Sequence, residues 1–239
     1  MSKTFVLVHG AWSGGWCYAR VAELLRSRGH RVFTPTLTGV GERSHLAGLF
    51  AITCSTHIQD IVNVILWEEL HDVVLCGHSY GGMVITGVAD ALADRIAGLV
   101  YLDAIIPEAG KSLFDVNQSA EVVASLLKAT VASGGQLAPA LPAAVFGTNS
   151  ADVALLDRLS TPHPLASFCE PVVLTGAWLK IAKKTYVRAT GWSGYEHLGF
   201  LSYQSIANDA GWVRLDVPSG HAVMLDAPDT LADILVNAS

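Results

Sequence analysis

Short apolar runs alternate along most of the chain with segments of helical periodicity. Residues 4–8 are an apolar run, as expected of a strand that is buried on both faces of a sheet. Five further strands are predicted at residues 31–34, 73–76, 97–102, 185–189 and 212–217. Helices are predicted at residues 16–27, 56–70, 81–93, near 198–208 and at 227–236. This alternation indicates an α/β fold, with a parallel sheet of about six strands and helices on both faces.

The alternation stops after Pro107. Residues 108–183 are rich in Ala, Leu and Ser and are interrupted by Gly134-Gly135 and by Pro139, Pro142, Pro162 and Pro164. We interpret this segment as a helical cap inserted into an α/β core made of residues 1–107 and 184–239. A chain of 239 residues is long enough for one core with one insertion.

Composition and charge indicate which classes of binding partner to expect. Hydrophobic residues make up 51% of the chain and charged residues 15%, and the net charge is −6. This composition is typical of a globular enzyme. No run of Lys and Arg is present, so neither nucleic acid nor an anionic membrane surface is expected as a partner. The oligomeric state is not predicted.

Several signals concern the compartment and metal content. No apolar stretch approaches the ~20 residues that cross a bilayer, and the run at residues 4–8 is too short for a secretory signal. The cysteines show neither CxxC spacing nor a disulfide pattern; they are Cys17, Cys54, Cys76 and Cys169. We therefore expect reduced thiols in a cytoplasmic protein. No metal site is expected, because no His, Cys or Asp pairs stand at ligand spacing.

The segment CGHSYGG, residues 76–82, places one serine among three glycines directly after an apolar run. A serine at a sharp turn from strand to helix has a strained backbone, and residues two positions away must be small. Gly77 and Gly81 meet this need. Such a turn exposes the Ser79 hydroxyl and leaves the Tyr80 amide free, so we predict that Ser79 is a nucleophile. The alternative is an ordinary tight turn without chemistry.

A nucleophilic serine needs a base and donors for an oxyanion. Among the nine histidines, His221 follows the last predicted strand, which is where the base belongs in the order Ser, acid, His. His9 is expected to shape the loop that offers the Ala11 amide as a second oxyanion donor beside the Tyr80 amide. His78 is expected to pack or to line the pocket, and His197 is ambiguous. The other histidines are expected at the surface or at helix ends: His30, His45, His57, His71 and His163.

Three stretches together resemble one family: residues 5–46 (FVLVHGAW…GERSHL), residues 76–90 (CGHSYGGMVITGVAD) and residues 220–235 (GHAVMLDAPDTLADIL). They are similar to the α/β-hydrolase branch that contains plant methyl esterases, hydroxynitrile lyases and bacterial esterases. The resemblance implies a six-stranded parallel sheet, a helical cap over Ser79 and no cofactor. It also implies that Ser79 and His221 are catalytic and that Ala11 and Tyr80 supply the oxyanion hole.

The resemblance does not extend to the catalytic acid, the carboxylate that accompanies the serine and the histidine in this family. The family usually places it just after the strand predicted at 185–189, where this sequence has RATGWSGYEH with Trp192 at the expected position. Glu196 is the nearest carboxylate there. Asp103 ends the strand predicted at 97–102, and some α/β hydrolases place the acid after that strand. Asp103 is the preferred candidate, with Glu196, or no carboxylate at all, as the alternatives.

The resemblance leaves three functions to compare. Hydroxynitrile lyases of this type carry a threonine in place of Ala11 and a lysine in place of Ala222, and alanine supplies neither chemistry. A small-ligand binding protein would be consistent with loss of the usual acid. The preferred prediction is a serine carboxylic-ester hydrolase that works through an acyl-enzyme.

The substrate class is predicted from the cap. Its apolar residues at helical spacing indicate cap packing and, with it, an apolar pocket: Leu113, Phe114, Leu126, Leu127, Val145, Phe146, Phe168 and Trp178. Trp12 is expected to add an aromatic wall. We predict small or aromatic uncharged esters, or a lactone or thioester of similar shape. The loop with Glu42, Arg43 and His45 is not assigned a role.

Overall fold

Six parallel strands form one sheet in the order β2-β1-β3-β4-β7-β8 in the computed structural model, which describes residues 2–116, 119–192 and 200–238. The strands are β1 (Thr4–Val8), β2 (Arg31–Phe33), β3 (Val73–His78), β4 (Ile96–Leu102), β7 (Lys184–Ala189) and β8 (Trp212–Val217). All six predicted strands are therefore present, with ends that differ from the prediction by two residues at most. The predicted fold class is confirmed.

Both faces of the sheet are covered by helices. These are α1 (Ala19–Ser27), α2 (Cys54–Trp67), α3 (Gly81–Ala91), α8 (Phe200–Ser205), α9 (Val223–Asp226) and α10 (Pro228–Asn237). The helix predicted from residue 16 begins instead as a 3-10 turn, Gly15–Tyr18, and a second 3-10 turn occupies Gly41–Leu46 in the loop after β2. None of the described helices has both the length and the apolar composition needed to cross a bilayer.

The strand residues explain the two cores. In β1, Val6 and Val8 pack with α2 and α3 on one face, whereas Phe5 and Leu7 pack with α1 and α10 on the other. All four side chains are fully buried. An apolar run without polar alternation is what a strand with helices on both faces requires.

Residues 108–183 leave the sheet between β4 and β7. They form α4 (Leu113–Val116), α5 (Ala120–Ala129), α6 (Val153–Leu159) and α7 (Ala166–Cys169), together with a short antiparallel pair, β5 (Leu137–Ala138) and β6 (His163–Pro164). The sequence did not predict this strand pair. The division into core and cap stays a prediction.

Candidate active site

Four chain segments of the site follow the carboxyl ends of parallel strands. Ser79 directly follows β3, Asp103 directly follows β4, and His221 lies in the loop after β8. Ala11 lies three residues after the end of β1. Because parallel strands end at the same edge of the sheet, these segments converge there.

The turn at Ser79 has the geometry that the glycines predicted. Ser79 has a φ of 54°, in the left-handed region. A Cβ on Gly77 would lie 2.6 Å from the Gly81 carbonyl oxygen, and a Cβ on Gly81 would lie 2.8 Å from the His9 carbonyl oxygen. The need for small residues on both sides of the serine is thereby confirmed.

Hydrogen bonds hold this turn in place and leave two amides available. Ser79 N–H donates to the Leu102 carbonyl at 3.2 Å, and the Ser79 carbonyl accepts from the Ile105 amide at 3.1 Å. The amides of Tyr80, at the N-terminus of α3, and of Ala11 have no hydrogen-bond partner among the residues that the structure describes. Both residues line the same pocket as Ser79.

Asp103 and His221 are in direct contact. His221 Nδ1–H donates to Asp103 Oδ2 at 2.7 Å, and both side chains are buried. Trp192 Nε1–H donates to the same oxygen at 3.1 Å, and the Ala189 amide donates to Asp103 Oδ1 at 3.1 Å. The carboxylate thus accepts three N–H groups, which suits an ionised acid.

Trp192 was missed as a functional residue by the sequence analysis, which noted only that it stands where an aspartate was expected. Its indole reaches across from the end of β7 to Asp103 at the end of the neighbouring strand β4. The alternative acid, Glu196, and the ambiguous His197 lie outside the described residues.

Phe146 and His78 also hold His221 in place. Its amide donates to the Phe146 carbonyl at 2.9 Å, and the Phe146 ring stacks on the imidazole with centroids 5.6 Å apart. His78 Nε2–H donates to the His221 carbonyl at 2.9 Å. Burial keeps the pKa of His78 well below the usual value, so His78 is neutral and serves as a hydrogen-bond donor from Nε2.

Two pockets meet at Ser79. The larger has a volume of about 220 Å³, and no charged residue lines the part of its wall that the structure describes; its aromatic wall includes Trp12, Phe114 and Phe168. The smaller, of about 50 Å³, is lined by His221 and His78. Trp12 and Phe146 border both pockets, and His78 borders the smaller one. That Trp12 and His78 contact the substrate stays a prediction.

The predicted apolar cap residues divide into three groups. Leu113, Phe114, Leu126, Phe146 and Phe168 line the larger pocket. Leu127 and Val145 are instead exposed at the surface, whereas Trp178 is buried in the core beside α3. The helical spacing of these apolar residues did not show which of them line the pocket and which face solvent.

Trp12 is anchored to residues 137–164. Its amide donates to His163 Nδ1 at 3.3 Å and its indole N–H donates to the Ala138 carbonyl at 3.1 Å, while its carbonyl accepts from the Thr161 amide at 2.9 Å. Trp12 has a φ of 63°, an uncommon value for a residue with a side chain. These bonds fix the backbone next to Ala11.

His163 was predicted at the surface or at a helix end, which is wrong, because it lies in β6 with a fully buried side chain. His57 lies in the first turn of α2, as the helix-end prediction allows, but its side chain is also fully buried. Burial is tolerated since each ring nitrogen has a partner. His57 Nε2–H donates to the Thr38 carbonyl, and Nδ1 accepts from the Tyr80 hydroxyl, both at 2.9 Å. Burial lowers the pKa of both histidines, so both are neutral.

His9 has the loop-shaping position that was expected of it. Its Nδ1–H donates to the Gly10 carbonyl at 2.7 Å, and its Nε2 accepts from the Leu37 amide at 3.0 Å. Complete burial lowers the pKa of His9 to about 4, which keeps the ring neutral. The loop between β1 and Ala11 is thus tied to the loop after β2.

No metal-binding cluster is present among the described residues: none of them form a group of three or more His, Cys, Asp or Glu that could hold an ion. The four cysteines are free thiols.

Comparison with known proteins finds relatives over almost the whole chain. The model of the alpha/beta hydrolase family matches residues 5–234. The carbendazim hydrolyzing esterase of Nocardioides sp. (strain SG-4G) is 42% identical over 238 residues, which cover 97% of each chain. Methylesterase 8 of Arabidopsis thaliana is 32% identical over 113 residues, covering 47% of this chain and 41% of that protein. A solved extracellular alpha/beta-hydrolase from a Paenibacillus species superimposes with a TM-score of 0.83 at 28% identity, covering 99% of each chain.

Proposed function

The chain belongs to the alpha/beta hydrolase family and is an ester hydrolase of the carboxylesterase type, and we propose that Ser79, His221 and Asp103 form its catalytic triad. The observation that carries the proposal is the 2.7 Å hydrogen bond from His221 Nδ1–H to Asp103 Oδ2. In a neutral imidazole with its proton on Nδ1, Nε2 is free to take a proton. Ser79 stands on the strained turn after β3, in a pocket that His221 also lines.

The proposed reaction has two halves. The Ser79 hydroxyl oxygen attacks the ester carbonyl carbon while its proton passes to His221 Nε2. His221 then gives that proton to the departing alkoxide oxygen, and an alcohol and an acyl-serine result. In the second half, His221 takes a proton from water and the water oxygen attacks the acyl carbonyl carbon. His221 then returns this proton to the Ser79 oxygen as the acyl C–O bond breaks, and the acid and free serine are released. Asp103 stabilises the imidazolium in both halves without taking the proton.

The Ala11 and Tyr80 amides are proposed to bind the oxyanion. Neither amide has a hydrogen-bond partner within residues 2–116, 119–192 and 200–238, and both residues lie on the pocket wall beside Ser79, which supports this role. Donors that are in place before the reaction stabilise the developing charge at no reorganisation cost. The bonds that anchor Trp12 and His9 hold the Ala11 side of this pair.

The two pockets support a division of the substrate. Since His221 protonates the leaving oxygen, the alcohol part belongs in the pocket that His221 lines, whose volume is about 50 Å³. At roughly 10–15 Å³ for each water-sized occupant, this pocket holds an alcohol of only a few heavy atoms. The apolar pocket of about 220 Å³ then takes a larger, uncharged and preferably aromatic acyl part.

A substrate series tests this proposal. Methyl, propyl and hexyl benzoate share one acyl group and differ in the alcohol, and monomethyl terephthalate adds a negative charge to the acyl side. We expect kcat/KM to fall from methyl to hexyl benzoate and to be lowest for the charged ester. Carbendazim belongs in the panel because the relative at 42% identity is named for hydrolysing it. Equal or better turnover of the hexyl ester would contradict the division of the pockets.

The alternatives are less well supported. The ligand-binding alternative depended on loss of the usual acid, and the Asp103–His221 hydrogen bond supports the enzyme instead. Ala11 and Ala222, which line the smaller pocket, offer neither the hydroxyl nor the ammonium that the lyase reaction needs.

The proposal includes two further parts. Residues 108–183 are proposed as the cap domain, since nine of their apolar residues line the larger pocket. A cytoplasmic location is proposed from the free thiols, and cell fractionation tests it. Recovery of the protein with the secreted fraction would overturn the location only.

A further inference from the structure

We propose that Asp226 is a positioning residue, whose carboxylate holds the loop that carries His221. It does so at the inner end of a hydrogen-bonded chain that runs from Arg20 through Asp152 and Asn149. The inference deepens the proposed function, since it assumes that His221 moves the protons. None of these four residues lines the pockets at Ser79.

The inner end of the chain lies against the backbone next to His221. Asp226 Oδ2 accepts from the Gly220 amide at 2.8 Å. Asp226 Oδ1 accepts from Asn149 Nδ2–H at 2.6 Å and from the Asn149 amide at 3.2 Å. A Cβ on Gly220 would lie 2.3 Å from the Gly147 carbonyl oxygen, so the loop is pressed against residues 147–149 at this point. One carboxylate therefore joins the loop of His221 to that segment.

At its outer end, the hydrogen-bonded chain fixes the segment at residues 147–149 to the core. Asn149 Nδ2–H also donates to Asp152 Oδ2 at 2.8 Å. The Arg20 guanidinium binds both Asp152 oxygens, at 2.8 and 2.6 Å, and donates to the Leu225 carbonyl at 3.1 Å. The hydrogen bonds from Arg20 lower the pKa of Asp152, which keeps this buried carboxylate ionised. Helix α1, the segment at 149–152 and helix α9 are thus connected.

The hydrogen-bonded chain from Arg20 to Asp226 positions His221 for proton transfer, the step whose rate is most sensitive to geometry. The other hydrogen bonds to the His221 backbone among the described residues involve the Phe146 carbonyl, the His78 ring and the Val223 amide. Without the carboxylate, the Gly220 amide loses its acceptor next to the base. A displacement of about 1 Å at a reacting group costs about 10²-fold in rate. Phe146, which borders both pockets, would shift with the same segment.

The leaving group provides a readout that a general loss of structure would not change. Methoxide leaves only with a proton from His221, whereas p-nitrophenolate leaves without one. A displaced His221 should therefore slow acylation by a methyl ester more than acylation by a p-nitrophenyl ester. A loss of folded protein would lower kcat/KM for both esters by the same factor.

The experiment compares Asp226→Asn with Asp233→Asn, measuring kcat/KM for methyl benzoate and p-nitrophenyl benzoate. Asp233 is a matched control, because its ion pair with Arg28 joins α10 to α1 at the surface, away from the loop of His221. We expect Asp226→Asn to lower kcat/KM for the methyl ester about 10- to 100-fold. The loss for the p-nitrophenyl ester should be several-fold smaller, and Asp233→Asn should change neither value. Equal losses for both esters, or no loss, would overturn the inference.

Two additional variants separate the possible failures. Asn149→Ala keeps the Asp226 carboxylate and removes the side-chain amide that donates to it. We therefore expect kcat/KM to fall by less than in Asp226→Asn, and again to fall more for the methyl ester than for the p-nitrophenyl ester. If Asp226→Asn does not fold, the Asn149→Ala variant becomes the test of the inference. A loss of kcat/KM that is equal for both esters counts against the inference. His221→Ala tests the underlying assumption. If His221→Ala keeps turnover, the proposed function fails; if it is inactive while Asp226→Asn behaves like Asp233→Asn, only the positioning role fails.

Discussion

Asp103→Asn removes the charge of the proposed acid with almost no change of shape. In the native chain, Asp103 Oδ2 accepts from His221 and Trp192, and Oδ1 accepts from the Ala189 amide. An asparagine has one carbonyl oxygen and one NH₂ group. In either orientation of the asparagine side chain, the NH₂ group faces an N–H donor, and that donor no longer has an acceptor.

The expected magnitude follows from these contacts. With NH₂ towards His221, the imidazole must carry its proton on Nε2 and cannot accept one from Ser79. With the oxygen towards His221, the tautomer is retained, but the imidazolium loses its counter-charge and the Ala189 amide is left facing NH₂. Loss of a triad carboxylate costs about 10⁴ in turnover. At ~1.36 kcal/mol per tenfold, this is about 5 kcal/mol of transition-state stabilisation.

The assay is the steady-state hydrolysis of methyl benzoate at pH 7.5, with the thermal melt of each variant as a check on folding. Asp90→Asn is the matched control, because Asp90 accepts from the Thr175 amide and hydroxyl and from the Trp178 amide at the far end of α3. We expect the control to keep near-native turnover. A folded Asp103→Asn variant with kcat within tenfold of the native value would refute the assignment of the acid.

Three further predictions concern stability and the support of the acid. Burial lowers the pKa of His9 from 6.5 to about 4, and it lowers the pKa of His57, His78 and His163 as well. The unfolded chain therefore binds more protons below pH 6.5, and the free energy of unfolding should fall by up to ~1.4 kcal/mol per pH unit for each histidine as the pH drops towards 4. A melting temperature that is constant from pH 7 to 5 would argue against this. Gly82→Ala should cost about 3 kcal/mol, because its Cβ would lie 2.0 Å from a backbone carbonyl oxygen. Gly110→Ala, in open space at a φ of 76°, should cost about 1 kcal/mol, and similar denaturation midpoints for the two would contradict the packing argument. Trp192→Phe keeps the ring and removes the N–H donated to the acid, so kcat should fall about tenfold with KM little changed; an unaltered kcat would show that this hydrogen bond is dispensable.

The fold was predictable because its signals are local. The strand Thr4–Val8 was found from an apolar run, and the turn at Ser79 from glycines two residues to either side. Both depend on neighbours in sequence, where steric limits act directly. The ends of helices were less accurate, as the 3-10 turn at Gly15–Tyr18 shows.

The contacts that were missed at the site all join residues that are distant in sequence. His163 accepts from the amide of Trp12, 151 positions away, and without that partner a histidine at this position is expected to be solvated. Trp192 contacts Asp103 only because β7 lies beside β4 in the sheet, and strand order is not a property of local periodicity. The same holds for Asp226, whose partner Asn149 is 77 residues away.

Covalent trapping at Ser79 tests the central claim most directly. The protein is mixed with p-nitrophenyl acetate, the release of p-nitrophenol is followed in the first turnover, and the acid-quenched protein is digested and analysed by mass spectrometry. We expect a burst of about one p-nitrophenol per chain and an acetyl group on the peptide that contains Ser79. Ser79→Ala should show neither, with a native melting temperature. Steady hydrolysis by Ser79→Ala, or acetylation at another residue with Ser79 unmodified, would contradict the assignment of the nucleophile.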